Sequence, residues 1–262
     1  MDFRFTPGST PMLLSIPHGG TDIPDELAGH YAPSAAARAD TDWHLGKLYD
    51  FAGEMGISVL AARWSRYLID LNRPPEDSNL YPGQDTTGLC PLDTFARERL
   101  YLPGHEPDAV DIARRLEQYW QPYHRQLQAE LERLLALHGR VVLWDAHSIA
   151  SMVPRFFEGR LPDLNFGTAD GTSCSLQLQG AIMQGAAAQD HFSFVFNGRF
   201  KGGHITRRYG DPARGVHAIQ LEMCQCLYMD ETPPFAYRPE AAARVQPLLR
   251  ALMGTALEWV RM

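Results

Sequence analysis

Val141-Val142-Leu143-Trp144-Asp145-Ala146-His147-Ser148 is the stretch that decides the fold. Four apolar residues in a row, the first two β-branched, predict a strand covered on both faces, as in a sheet with helices above and below it. The run then turns polar, so Asp145 and His147 should emerge near the strand's carboxyl end. The pattern recurs on either side of it in the chain. Met12-Leu13-Leu14-Ser15-Ile16 leads into His18, and Val216-His217-Ala218-Ile219-Gln220-Leu221 leads into Glu222. Open α/β sheets bind their ligands at the carboxyl ends of their strands, so these polar residues are expected to share one site.

Outward from these runs, apolar segments alternate with longer helical patterns, which is the signature of an α/β architecture. Strands are expected near 11–16, 57–62, 66–71, 141–145, 193–196 and 216–222, and helices near 40–55, 107–138, 173–189 and 238–260. The 107–138 helix opens at Pro107, carries Pro122, where a kink or break is expected, and stops at His138-Gly139. Between the elements, residues 72–105 hold Pro74, Pro75, Pro82, Gly83, Gly88, Pro91 and Pro103. Such density predicts a long irregular excursion, and loops of that length are usually functional. A second excursion is expected from Pro154 to Gly171. Both should wall the pocket.

The chain of 262 residues is long enough for one α/β domain, taken as 1–262, with a sizeable core. A hydrophobic content of 45% and a charged content of 21% are those of an ordinary soluble protein. The net charge of −7 argues against a nucleic-acid partner but not against a small anionic substrate, which a few pocket arginines can attract. No apolar stretch approaches the ~20 residues that span a bilayer, and Met1 to Thr10 shows no secretory pattern. Cys90, Cys174, Cys224 and Cys226 lack disulfide-framework spacing and are read as reduced thiols of a cytoplasmic protein.

Two histidines and several carboxylates at strand tips suggest a hydrolytic zinc site with a general base beside it. His18 stands in Ile16-Pro17-His18-Gly19-Gly20, where the glycines permit a tight turn close to a ligand. Alone it would be structural; with Asp145-Ala146-His147 it reads as a metal ligand. Asp145 would hold a histidine tautomer or ligate directly. The third ligand is sought in Asp40-Thr41-Asp42-Trp43-His44, where Asp40 or Thr41 would cap a helix and leave Asp42 free for the metal. The plainer alternative is that these acids only serve the helix N-terminus. His44 should point to another face. Glu222 is the candidate base, against the alternative of a salt-bridged strand end, and His217 should face away from it. Asn72 and Arg73 close Tyr67-Leu68-Ile69-Asp70-Leu71-Asn72-Arg73. Gly202-Gly203-His204-Ile205-Thr206-Arg207-Arg208 is a glycine-flanked basic loop. Arginine suits bidentate carboxylate recognition, so one arginine would grip a substrate carboxylate and another polarise a scissile carbonyl, unless these are simply solvated loops.

Taken in order, Ser15-Ile16-Pro17-His18-Gly19-Gly20, Asp40-Thr41-Asp42-Trp43-His44, Ile69-Asp70-Leu71-Asn72-Arg73, Trp144-Asp145-Ala146-His147-Ser148, the 202–210 loop and His217 to Glu222 resemble the N-formylglutamate amidohydrolases, and Met229-Asp230-Glu231 extends the match. The resemblance spans roughly 15–231. It implies a three-layer α/β/α sandwich with a mixed central sheet, zinc-peptidase-like. It implies a divalent metal, zinc foremost, on His18, His147 and Asp42. Thr21 stands where related carboxypeptidase-like sites carry an acidic ligand, and Asp22 beside it is the second choice. It further implies Glu222 as general base and Asn72, Arg73, Gly203 and Arg207 facing the substrate, with Arg73 also counted as catalytic. The activity implied is release of formate from N-formyl-L-glutamate in histidine degradation. The rival is another N-acyl amino acid, or binding without catalysis.

Overall fold

The three runs that end in polar residues are neighbouring strands. In a computed structural model describing residues 2–262, seven strands form one sheet. They are β1 (Phe3–Thr6), β2 (Met12–Ile16), β3 (Ser58–Ala62), β4 (Val141–Ile149), β5 (Leu164–Gly167), β6 (Phe194–Phe196) and β7 (Val216–Cys224). Their order is β1-β3-β2-β4-β7-β5-β6. β3, β2, β4 and β7 run parallel, whereas β1 pairs antiparallel with β3 and β5 antiparallel with β7. The sheet is therefore mixed, as expected. The register sets Ser15 beside Asp145 and His147 beside Glu222.

Seven helices accompany the sheet: α1 (Asp25–Ala28), α2 (Leu45–Leu48), α3 (Ala109–Arg115), α4 (Gln121–His138), α5 (Leu176–Ala187), α6 (His204–Tyr209) and α7 (Pro239–Arg261). Side chains alternate across a strand, and here the alternation feeds two cores. Met12, Leu14, Val142, Trp144 and Ile219 pack with Leu178 and Ile182 of α5 and Leu249 and Met253 of α7. Leu13, Val141, Leu143 and Ala218 pack on Tyr123, Leu127, Leu131 and Leu134 of α4. Each such buried aliphatic side chain contributes about 1.5–3 kcal/mol of transfer free energy. On the α4 side, the positions that continue Leu143 are Asp145 and His147, and those that continue Ala218 are Gln220 and Glu222. The functional residues are thus an extension of one core layer beyond its apolar part. His217 lies on the other face, edge-on to Trp259 of α7 at 4.7 Å.

Three expectations need correction. Residues 66–71 form turns instead of a strand. Leu68, Ile69 and Leu71 are buried in the α4-side core, but the Leu68 N–H bonds to Ser65 and the Asp70 N–H to Leu89. Burial explains the apolar run without a ladder. The 40–55 helix shrinks to α2 and one 3₁₀ turn (Asp50–Ala52), because His44 takes a left-handed conformation at φ 62° immediately before α2. Asp40 and Thr41 therefore cap no helix start. Near Pro122 the α-helical pattern is interrupted, as expected: a π-turn, Leu116–Trp120, separates α3 from α4, and the proline falls in the first turn of α4. Finally, the 154–171 excursion contains β5, a strand too short to stand out among its glycines and prolines. The 72–105 excursion is irregular throughout, as expected.

Candidate metal centre and active site

His18 follows β2 in a turn whose glycines are needed for space. A Cβ on Gly20 would stand 2.4 Å from the Trp64 carbonyl oxygen. The Asp42 N–H donates to the His18 carbonyl at 3.0 Å, so the turn before α2 carries this acid against the histidine. His147 comes from β4. Nδ1 of His147 lies 3.2 Å from Nδ1 of His18 and 3.2 Å from Oδ2 of Asp42, and the His18–Asp42 distance is 3.7 Å. All three residues are buried, and their donor atoms lie within 4.8 Å of one another.

The opposite ring nitrogens fix the tautomers. Nε2 of His18 bonds to Asp70 Oδ1 at 2.7 Å, and Nε2 of His147 to Asp145 Oδ2 at 3.0 Å. Burial by itself would raise the Asp70 pKa, but His18 and Arg66 overcome it and hold this carboxyl well below the usual range. An ionised carboxylate requires an N–H on the imidazole nitrogen it faces. The two Nδ1 lone pairs and the Asp42 oxygen then converge with no donor among them, an arrangement that calls for a cation in the middle. The histidine shifts agree. Burial and the charge of Arg66 push His18 down, against the pull of Asp70. Burial also opposes charge on His147, yet Asp145 and Asp42 prevail and drive its pKa well above the ordinary value. The two differ because Arg66 neutralises Asp70 at 2.7 Å, whereas Asp145 has only neutral partners besides His147: Ser15 at 3.0 Å and Asn72 at 3.4 Å. The two acids thus favour positive charge at the centre of the cluster.

The cluster opens on a cavity lined by His18, His147 and Glu222, by Arg66, Arg73 and Arg199, and by Tyr81, Phe95, Phe156 and Phe200. Asp42 touches both imidazoles without lining the cavity. Glu222, beside His147 on β7, receives one long bond from Gln220 at 3.4 Å. Desolvation pushes its carboxyl up to about 8, His147 and Arg66 offsetting part of the effect. A carboxyl that exchanges a proton near neutrality beside a water-accessible cavity has the attributes of a general base.

Most sequence-derived candidates meet here, and several change role. Asp22, the second choice for the acidic ligand, is on the surface and pairs with Arg63 at 2.7 Å. Asn72 lines the cavity, but its amide is occupied: Oδ1 accepts from the Ile205 N–H at 2.8 Å, and Nδ2 lies within 3.4 Å of Asp145 and Gln220. These bonds brace the site from the cavity wall. Gly203 belongs to the lining, with its N–H on Gln220 at 2.8 Å, and a Cβ there would lie 2.5 Å from the Asn72 side chain. Arg207 is exposed and outside the cavity. Its Nε donates to the Gly202 carbonyl at 2.9 Å and its guanidinium lies over the Tyr81 ring. The following Gly203-to-Tyr209 segment turns into α6, and that rotates Arg207 away. His44 bonds to the Phe235 carbonyl at 2.7 Å and is not among the clustered donors. His204 packs on Trp120 and His124. All four cysteines are free. Asp70, Arg66 and Arg199 received no role from the sequence. Asp70 carried a weak signal, a charge between two buried leucine-type residues, and Arg66 sits one helical turn before it.

Comparison with known proteins leads to one family. The model of the N-formylglutamate amidohydrolase family matches residues 10–229. Curated N-formylglutamate deformylases from Pseudomonas aeruginosa and Pseudomonas putida are 49% and 48% identical, covering 98% and 97% of this chain and 96% and 95% of their own. The crystal structure of an N-formylglutamate amidohydrolase from Ralstonia eutropha superposes with a TM-score of 0.84 at 25% identity, over 99% of this chain and 98% of that one. A gene product of Agrobacterium tumefaciens, at 19% identity and a TM-score of 0.75, shares the fold. The matched span contains His18, Asp42, Asp70, His147 and Glu222, and with identity near one half over the full length the chain belongs to the N-formylglutamate amidohydrolase family.

Proposed function

We propose that this protein hydrolyses N-formyl-L-glutamate to L-glutamate and formate as a divalent-metal-dependent amidohydrolase, with zinc as the first choice of ion. The observation that carries the proposal is the convergence of two imidazole lone pairs and the Asp42 carboxylate beside Glu222, in a cavity rich in arginine. His18, Asp42 and His147 would hold the ion, which when bound supplies Lewis acidity, acidifying a water and polarising the formyl oxygen. Glu222 takes a proton from the attacking water and passes it to the glutamate nitrogen as the C–N bond breaks. Arg66 gives one N–H to Asp70 and keeps others for the oxygen that gains negative charge. Arg73 holds a carboxylate of the substrate and orients it. On this reading the reaction is the last step of a histidine degradation route.

Formate release from N-formyl-L-glutamate, measured before chelation, after it, and after zinc is returned, tests the proposal. Zinc-restored turnover is expected. Turnover that survives complete chelation would remove the metal from it. Faster hydrolysis of N-acetyl- or N-succinyl-L-glutamate than of the formyl compound would move the activity to another acyl group.

A further inference from the structure

Most arginines around the cavity answer to an acid. Arg66 bonds to Asp70 at 2.7 Å, and Arg73 Nε lies 4.0 Å from the same carboxylate. Arg155 is tied to Asp93 at 2.6 Å and Asp85 at 3.1 Å. Arg199 differs from these. Its Nε–H donates to the Phe156 carbonyl at 2.8 Å and Nη2 to the backbone carbonyl of Asp85 at 3.0 Å. The Asp85 carboxylate is itself taken by Arg97 and Arg155. Among the described residues Arg199 forms no ion pair, and of the five N–H donors of a guanidinium two are used. The group is half-buried against the rings of Tyr81, Phe156 and Phe200, at 5.5, 5.5 and 5.4 Å. Burial, together with the nearby charge of Arg73, holds its pKa below the ordinary arginine value. A desolvated cation with spare donors, lining a cavity, is incomplete until an anion enters.

Its placement says which anion. Asn72, next to Arg73, touches His147, and Arg73 shares Asp70 with His18. Arg73 therefore belongs to the inner part of the cavity. Arg199 hangs on carbonyls of the two excursions and shares no carboxylate with the histidines, while standing within electrostatic reach of Arg73 and Glu222. An N-acylglutamate carries one carboxylate on the carbon that bears the scissile nitrogen and a second two methylenes farther out. We infer that Arg199 is the receptor for the distal, side-chain carboxylate and sets the preference for an acidic over a neutral acyl amino acid, an inference that rests on the N-acylglutamate function proposed above. Arg207 contributes indirectly. Its guanidinium lies over the Tyr81 ring at 5.4 Å, and Tyr81, which donates to the Gly202 carbonyl at 2.9 Å, also carries Arg199.

The test compares N-formyl-L-glutamate with its neutral isostere N-formyl-L-glutamine on the zinc-loaded full chain. Arg199→Ala should lower kcat/KM for the acid roughly 100-fold, chiefly through KM, because a bidentate charge-assisted pair is lost. The same variant should change kcat/KM for the amide by less than about threefold, since that pair never formed. Arg199→Lys should recover part of the acid activity. Equal losses on both substrates would mean that Arg199 only supports the loops, and an undiminished acid preference would mean that another group reads the carboxylate; either overturns the inference. Calorimetric binding of L-glutamate against L-glutamine carries the same contrast without turnover. A wild-type protein that releases no formate, yet binds L-glutamate through Arg199, would sink the formyl reading and leave this one standing. Formate release with an acid preference indifferent to Arg199 would do the reverse.

Discussion

Behind the two histidines both oxygens of Asp70 and of Asp145 already have donors, whereas the guanidinium of Arg199, lining the same cavity, bonds to only two backbone carbonyls. The first region is buried and anchored on β4 and β7, which carry Asp145, His147 and Glu222. The second is half-buried and set on the irregular 72–105 and 154–171 segments. The difference separates two tasks. Bond cleavage needs ligands and base held to within fractions of an ångström, which a sheet with satisfied carboxylates provides. Choosing an amino acid needs unsatisfied donors facing the cavity, which loops on a rigid scaffold provide.

The largest effect expected belongs to the strand tips. Glu222→Gln should keep bound metal, by metal analysis, and lower kcat by about 10²–10⁴. Full activity in this variant would move the base elsewhere. Asp70→Asn comes next. It retains an acceptor for His18 but loses the charge, so metal affinity measured by competition with a chelator should fall about 10–100-fold. An unchanged affinity would mean that the carboxylates behind the histidines are ornamental, and the comparison above would lose its first half.

Behind the segment that carries Asn72 stands His124 of α4, which bonds to the Leu71 carbonyl at 2.8 Å and to Tyr209 at 2.9 Å, with Trp120 stacked on it at 3.6 Å. Burial lowers its pKa to about 3, only partly offset by the bond to Leu71. The folded state therefore binds fewer protons than the unfolded chain between pH 6.5 and about 3, and stability falls as pH drops through that window. This single group should cost about 2 kcal/mol between pH 7 and pH 5. Denaturant midpoints at the two pH values, with His124→Gln as the reference, measure it: the variant should lose that part of the pH dependence. A parallel fall in both proteins would place the acid sensitivity elsewhere.

The smallest effect is expected at Arg207. Because it supports the Tyr81 ring from the surface, Arg207→Ala should lower kcat/KM less than about tenfold, well short of Arg199→Ala. An equal or larger loss would bring Arg207 back as a substrate contact.

The sequence by itself determined the α/β class, the three strand-end positions of His18, His147 and Glu222, and the irregularity of 72–105. These follow from local rules: apolar runs of strand length, a period of two, and Pro/Gly density, none of which needs a partner from elsewhere in the chain. It also put Asp42 with the histidines, although by the wrong local structure, since a left-handed His44 replaces the expected helix start. Only the tertiary structure decided which apolar runs join the sheet. Residues 66–71 satisfy the same burial pattern as β2, yet their backbone N–H groups bond into turns, and a hydrophobic run reports burial without reporting where its hydrogen bonds go. It alone separated Asp42 from Asp22 and turned Arg207 outward and Arg199 toward the cavity. An arginine's role depends on what lies within reach in space: Arg66 finds Asp70 four residues on, whereas Arg199 meets only the carbonyls of Phe156 and Asp85, 43 and 114 residues away.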